Sequence, residues 1–429
     1  MKQVAVIAFA LIVTLAVAEK YAMVFGTANG WDNYSISSDP CRVYTDLIRA
    51  GIKPENIIMM VYYTVLTSSF NPYPGKIFTD PSDNLDGDWA RYGCFDHVDY
   101  TNQHINKKVF LGILTGDIET VMNETKMENP KVLNAGPEDT VFTYFIDHGS
   151  DEKIVVGLDR VTAKSFLEAL ETAYEKKIYG KWVWFMEACH SGSMWKNLSP
   201  KMNIYVMTSS DSDHDAKMTH CPPDDVVAKK SLGTCLGGLW DNLFLDYLEQ
   251  NPECTFGAIA DAVKTSVSKT SDQNVSEFGD FSFRDYKVAE FFGLLPSNHL
   301  RSVTNGNKYS VNVAVPDVPA HLAKWAAIRA QSHDTKALEE YQREVVAQAK
   351  QEVEVMRLGR LLMNEKAVHS ALDTRVEAFD VDCVKELSLK LVERCGQRMP
   401  LQAKQNNVLR NICLPGVNLP VIDWEDICM

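Results

Sequence analysis

The chain has 429 residues and sets 43 Lys plus Arg against 57 Asp plus Glu, a formal charge of −14. A nucleic-acid-binding surface needs a surplus of basic residues to displace counterions, so the charge balance argues against that class of function. Hydrophobic residues at 45% and charged residues at 23% exclude a mostly disordered chain, and the length allows two or three domains.

The first residues read as an address. Lys2 is followed by an almost wholly apolar stretch over 4–17, then by Ala16-Val17-Ala18 and the polar Glu19-Lys20, the pattern of a secretory signal peptide cut after Ala18. The apolar stretch is too short for the roughly 20 residues a spanning helix needs, and no later segment is long enough, so no transmembrane anchor is expected. The mature chain is expected in the secretory pathway, in an organelle lumen or outside the cell. Thiols pair in such compartments unless chemistry keeps them free. Cys383, Cys395, Cys413 and Cys428 crowd the last 47 residues as a stapled module, and their spacing alone leaves three pairings open. The other six, Cys41, Cys94, Cys189, Cys221, Cys235 and Cys254, are scattered without metal-ligand spacing, so no metal site is expected, and nothing calls for a cofactor. A staple between Cys221 and Cys235 is a further expectation.

From residue 21 to about 212, short apolar runs alternate with amphipathic stretches. Residues 21–26, 56–63, 141–146, 182–186 and 204–208 are strand-like and apolar on both faces, while 41–50, 103–114 and 162–176 have helical periodicity with Gly51, Gly116 and Gly180 as stops. This order predicts an α/β fold, a mostly parallel sheet with helices on both faces and a site outside the carboxyl ends of the strands. After Pro222-Pro223, helices are expected over 239–248 and 256–269 and a last strand over 281–291. The domain expectation is a signal peptide over 1–18, a catalytic α/β domain over 19–295, a linker over 296–334, and a helical, disulfide-stapled segment over 335–429.

Two strands end in unusual tails: 141–146 runs into Asp147-His148-Gly149-Ser150, and 182–186 into Glu187-Ala188-Cys189-His190-Ser191-Gly192-Ser193. If the strands are neighbours, an imidazole and a thiol share one edge. A cysteine nucleophile needs a partner to take its proton, and histidine, titrating near neutrality, suits the task. A lone Cys or His at a strand end is more often structural; the coincidence of both at equivalent places in one sheet favours chemistry.

These tails, preceded by Gly30-Trp31-Asp32-Asn33-Tyr34 and followed by Leu236-Gly237 and the four C-terminal cysteines, resemble the legumain (asparaginyl endopeptidase) family of clan CD cysteine peptidases over nearly the whole mature chain. The resemblance implies a caspase-like core with Cys189 as nucleophile, His148 as its partner and Asn33 orienting the histidine. It places the oxyanion on the N–H groups of Gly149 and Cys189 and the specificity-pocket acid at Glu187. It implies a C-terminal prodomain acting as an intramolecular inhibitor, paired Cys383–Cys413 and Cys395–Cys428, with activation by acid and by a cut in the linker or near 332–338. Substrates would be peptides or proteins, cystatin-like inhibitors are among the implied partners, and a lysosome or vacuole or the extracellular space is the implied location.

Departures bear on specificity. Relatives that cleave after Asn read Arg and His two and three residues beyond the residue matching Asn33, where this chain has Ser35 and Ile36, and an acid where it has Gly238. A site built to hydrogen-bond an amide discriminates through its buried polar groups, so their loss predicts a relaxed or redirected preference, toward small or apolar residues. The alternatives are a GPI-transamidase-like enzyme and a secreted pseudoprotease that binds peptides. Of the sequons at Asn33, Asn123, Asn197 and Asn274, the first would block the expected site if glycosylated.

Overall fold

The computed structural model describes residues 18–296 except 69, 84–92 and 223, the strand Val311–Ala314, and in the C-terminal part residues 350, 353–363, 367–368, 371, 380–396, 403–417 and 419–428. The expected signal peptide and most of the expected linker, with the region 332–338, lie outside these residues.

Along the chain come β1 (Lys20–Gly26), α1 (Tyr34–Arg49), β2 (Ile57–Val61), α2 (Lys107–Leu114), α3 (Ile118–Thr125) and β3 (Thr140–Ile146). A small antiparallel sheet of β4 (Gly149–Ser150), β5 (Lys153–Val156) and β6 (Asp159–Thr162) leads to α4 (Ala163–Lys176), β7 (Lys181–Glu187) and β8 (Ile204–Thr208). Then follow β9 (Lys217–Thr219), the hairpin β10 (Val226–Val227) and β11 (Lys230–Ser231), β12 (Gly237–Gly238), α5 (Leu239–Gln250), α6 (Phe256–Thr270), β13 (Ser276–Gly279) and the short α7 (Ala289–Phe292). The main sheet has the order β13-β8-β7-β3-β1-β2 and is parallel except for β13.

The expected α/β architecture is therefore present, and alternation explains it. Val183 and Phe185 of β7 enter one core with α1, α5 and α6, while Trp182, Trp184 and Met186 enter a second core with α2, α3 and α4. Because both faces are covered, the strands read as continuous apolar runs.

Some boundaries differ from the sequence reading. Helix α1 starts at Tyr34, seven residues before the expected 41, and carries Pro40 inside it. Proline lacks the N–H that the Ile36 carbonyl would accept, which is why the stretch reads as a break. Residues 281–291 are not a strand: Asp280 caps a 3-10 turn at Phe281–Asp285 by accepting from Ser282 N–H at 2.9 Å, and α7 follows. The edge strand is β13 instead, and Phe291 packs on Phe256 and Phe283 rather than alternating across a sheet. Helix α4 ends at Lys177, not Gly180; Lys177 takes a left-handed conformation (φ 56°) and closes the helix with its own N–H. Within the expected linker, Val311–Ala314 forms β14 against β9.

In the C-terminal module, α8 (Val381–Cys395) and α9 (Ala403–Ile412) share an apolar core. Cys383–Cys413 and Cys395–Cys428 pair as the resemblance implied, Cys221–Cys235 pair as expected, and Cys41–Cys94 form a fourth disulfide that spacing did not suggest. No helix among the described residues is long and apolar enough to cross a membrane.

One buried charge network ties α1 to α5. The Arg42 guanidinium donates to Asn242 Oδ1 at 2.9 Å, Asp246 Oδ1 at 2.6 Å and Glu249 Oε1 at 3.3 Å. Arg42→Ala would leave Asp246 and Glu249 buried without this cation, a loss of about 3–5 kcal/mol. The expected outcome is a correspondingly lower denaturant midpoint at neutral pH, read by tryptophan fluorescence; a change under about 1 kcal/mol would show that water replaces the guanidinium at little cost.

Candidate active site

The β3–β7 ladder pairs Ile146 with Glu187, so His148 and Cys189 each lie two residues past paired strand ends. The tails stay together beyond the ladder. Asp147 N–H donates to the Glu187 carbonyl at 3.2 Å, and a methyl group placed on Gly149 would overlap the Cys189 carbonyl. Only glycine allows this approach, which brings the backbone beside His148 against the backbone of the thiol-bearing turn.

The turn after β7 is fixed through β8. Ser210 Oγ donates to the Ala188 carbonyl at 2.7 Å and accepts from Ser191 N–H at 3.1 Å, while Gly192 N–H donates to the Ser210 carbonyl at 3.1 Å. Cys189 is 6% exposed and unpaired by disulfide; Cys254 is the other cysteine outside the four disulfides.

Asn33 comes from the segment following β1, the next strand in the sheet. Its Nδ2 donates to the Asn29 carbonyl at 2.7 Å, which orients the amide so that Oδ1 faces His148 Nε2 at 2.9 Å. Because Oδ1 can only accept, the hydrogen-bond network assigns the proton to Nε2 and leaves Nδ1 with a basic lone pair. His148 is 2% exposed, and burial pushes its pKa down to about 3, so the imidazole is neutral here. Asn33 is 4% exposed with its amide engaged, in keeping with an unglycosylated residue.

The expected pocket residues also converge. Ser35 and Ile36 are buried in the first turn of α1, and Ser38 Oγ donates to the Leu236 carbonyl at 2.5 Å, drawing that turn against the Leu236-Gly237-Gly238 segment. Gly238 N–H donates to Asp39 Oδ2 at 2.7 Å. Glu187 is wholly buried at the end of β7; burial first, and then Asp241 and Asp39, raise its pKa well above the usual carboxylate range.

Several residues here were not singled out from the sequence. Asp147 is buried, hydrogen-bonded to Thr27 Oγ1 and to His148 N–H, and burial raises its pKa to about 8. His190, in a left-handed conformation (φ 55°), contacts Asp215 through Nε2 at 3.4 Å and the Ser212 carbonyl through Nδ1 at 2.8 Å. The Asp215 hydrogen bond raises its pKa to about 9, against the cost of burial. Asp215 is held below the usual range by His190 first and also by the Cys189 thiol. Nothing in the local sequence around Asp215 foretold this contact across two turns.

Comparison with known proteins follows the same lines. The Peptidase C13 family model matches residues 20–294. The vacuolar-processing enzyme delta-isozyme of Arabidopsis thaliana is 29% identical, over 93% of this chain and 88% of its own. The hemoglobinase of Schistosoma mansoni is 28% identical (96% and 91%), and the legumain of Canavalia ensiformis 26% (94% and 86%). Among solved structures, caspase-1 from Spodoptera frugiperda aligns at a TM-score of 0.35 and 7% identity, over 66% of this chain and 94% of that one, too loosely to bear on the assignment.

The pair His190–Asp215 makes a checkable statement about pH. A histidine whose folded pKa of about 9 exceeds its ordinary 6.5 contributes stability that is complete below 6.5 and lost as pH rises through 9. His190→Gln is therefore expected to lower the urea midpoint at pH 6 by more than at pH 9.5. An equal shift at both values would mean that the imidazolium contributes nothing.

Proposed function

The chain belongs to the peptidase C13 family and is a cysteine endopeptidase, and from that premise we propose that Cys189 is its nucleophile, His148 its base and Asn33 the group that orients the base. The observation that carries this reading is the convergence of β3 and β7, with Gly149 lying against the Cys189 carbonyl. His148 Nδ1, left basic by the Nε2 contact to Asn33, takes the thiol proton as Sγ attacks the scissile carbonyl. The carbonyl oxygen becomes an oxyanion bound by the N–H groups of Gly149 and Cys189. As the tetrahedral adduct collapses, the imidazolium returns its proton to the leaving amine, and water then hydrolyses the thioester by the reverse sequence.

The enzyme is made as a latent zymogen whose C-terminal module covers the site. Near-complete burial of His148 and Cys189 supports this, as does Arg410 of α9 donating to the Ser231 carbonyl of the catalytic domain at 2.8 Å. Acid loosens the cap by protonating carboxylates, and a cut between the two parts makes release permanent. The four disulfides fit an oxidising compartment, and the vacuolar naming of several relatives supports a lysosomal or vacuolar destination. Preference for Asn at the cleavage site is altered or relaxed, since Ser35, Ile36 and Gly238 stand where relatives that cleave after Asn carry polar or charged groups.

The test is acid incubation of the full chain with and without Cys189→Ala. The expected result is loss of the C-terminal module and onset of peptide cleavage in the unaltered chain alone. Module loss in the variant at the same rate would refute self-processing, and peptide cleavage by the variant would refute the role of Cys189.

A further inference from the structure

Resting on the peptidase reading above, we propose that Asp241, paired with Glu187, is a specificity residue forming the floor of the primary side-chain pocket, and that this floor selects substrate side chains ending in N–H donors, a carboxamide or a cation, over apolar ones.

A methyl group built on Gly238 would overlap Asp241 Oδ2. The carboxylate thus stands where a side chain on residue 238 would begin: the acid missing from that position is delivered from the first turn of α5, three residues on. Its Oδ1 accepts from the Tyr144 hydroxyl of β3 at 2.7 Å, whereas Oδ2 is buried without a hydrogen-bond partner. Both oxygens of Glu187 are in the same condition; the Ser209 hydroxyl is near enough to favour the carboxylate but completes no hydrogen bond. Other buried polar atoms in the fold also lack a partner; what sets these three apart is that they lie on two neighbouring carboxyls, beside the Gly238 backbone and the end of β7.

A plainer role for Asp241 would be to cap the start of α5. That role covers only part of the carboxylate: the Asp241 N–H in the first turn favours its charge, but the N–H of the capping residue Gly238 is taken by Asp39 and Oδ2 completes no hydrogen bond. Nor is the cluster half of a completed ion-pair network. Arg42 lowers the Asp241 pKa only as the last of its influences, and its own hydrogen bonds go to Asn242, Asp246 and Glu249. With Ser35 and Ile36 in the first turn of α1, that turn supplies no cation either. Burial raises the Asp241 pKa to about 7, and burial with Asp241 nearby raises that of Glu187. An apolar side chain would seal these oxygens off without donors, which is how such a pocket rejects it. The departures at 35, 36 and 238 therefore redirect selection rather than abolish polarity.

The acid-treated full chain is offered peptides that differ only in having Asn, Lys or Leu before the scissile bond. The better of the Asn and Lys peptides is expected to exceed Leu in kcat/KM at least tenfold, and this advantage is expected to fall below threefold in Asp241→Ala. In the exchange Gly238→Asp with Asp241→Gly, which returns the acid to position 238 and vacates the space it needs, the advantage is expected to recover. A cooperative urea transition read by tryptophan fluorescence reports that each variant is folded, and Asp241→Asn replaces the alanine variant if that one is not. Protection of Cys189 from iodoacetamide alkylation by the same peptides gives the comparison without turnover. Discrimination in protection with no cleavage would retire the peptidase reading and leave the pocket assignment standing. Leu preferred or equal in the unaltered chain, or an advantage unchanged when Asp241 is replaced, overturns the proposal.

Discussion

The parallel register between β3 and β7 is the constraint on which the site depends. Ile146 opposes Glu187, and beyond this pair both chains leave the sheet together. A slip of one residue would turn His148 or Cys189 to the other face and exchange the two apolar cores. The register is held from both sides: alternating residues of β7 enter opposite cores, and Trp182 Nε1 also donates to Thr143 Oγ1 of β3 at 2.7 Å. The geometry of the candidate site is thus a by-product of packing that stabilises the domain.

The same helix pair carries two contrasting treatments of buried charge. Between α1 and α5, the Arg42 guanidinium sets a positive charge against Asp246 and Glu249 and also donates to Asn242. Nearer the strand ends, Glu187 lies within electrostatic reach of Asp241, both have raised pKa values, and Glu187 Oε1 and Oε2 and Asp241 Oδ2 complete no hydrogen bond. Folding alone has no use for the second arrangement, because removing donors from a buried carboxylate costs stability. Strain of this kind gathers at functional sites.

Much of the fold was legible because its signals are local. Continuous apolar runs announced strands covered on both faces, and the tails after 146 and 187 stood out because polar, glycine-containing turns follow buried strands abruptly. The errors were local as well. Pro40 hid the start of α1, since a proline inside a helix reads as a break until the neighbouring strand is seen packed on it. The aromatic residues of 281–291 looked strand-like, but Phe283, Tyr286 and Phe291 pack on one another, with Phe291 against Phe256. Cys41 and Cys94 gave no spacing signal because a pairing across 53 residues depends on the path of the chain between them.

By itself, the sequence determined the alternation of the main strands and helices up to about residue 212, the two thiol- and imidazole-bearing strand ends, the stapled C-terminal module and the absence of Arg, His and an acid at 35, 36 and 238. Only the tertiary structure decided that Asn33 Oδ1 meets His148 Nε2, that Asp215 lies beside His190, and that Asp241 stands in the space of a side chain at 238. The physical reason is the range of the forces involved. Hydrophobic periodicity and turn chemistry act over a few residues and are written along the chain. A hydrogen bond or a shared desolvated volume depends on ångström-scale placement, whether the groups are 3 positions apart, as at 238 and 241, or 25 and 115 apart, as in the other two contacts, and that placement exists only once the sheet has formed.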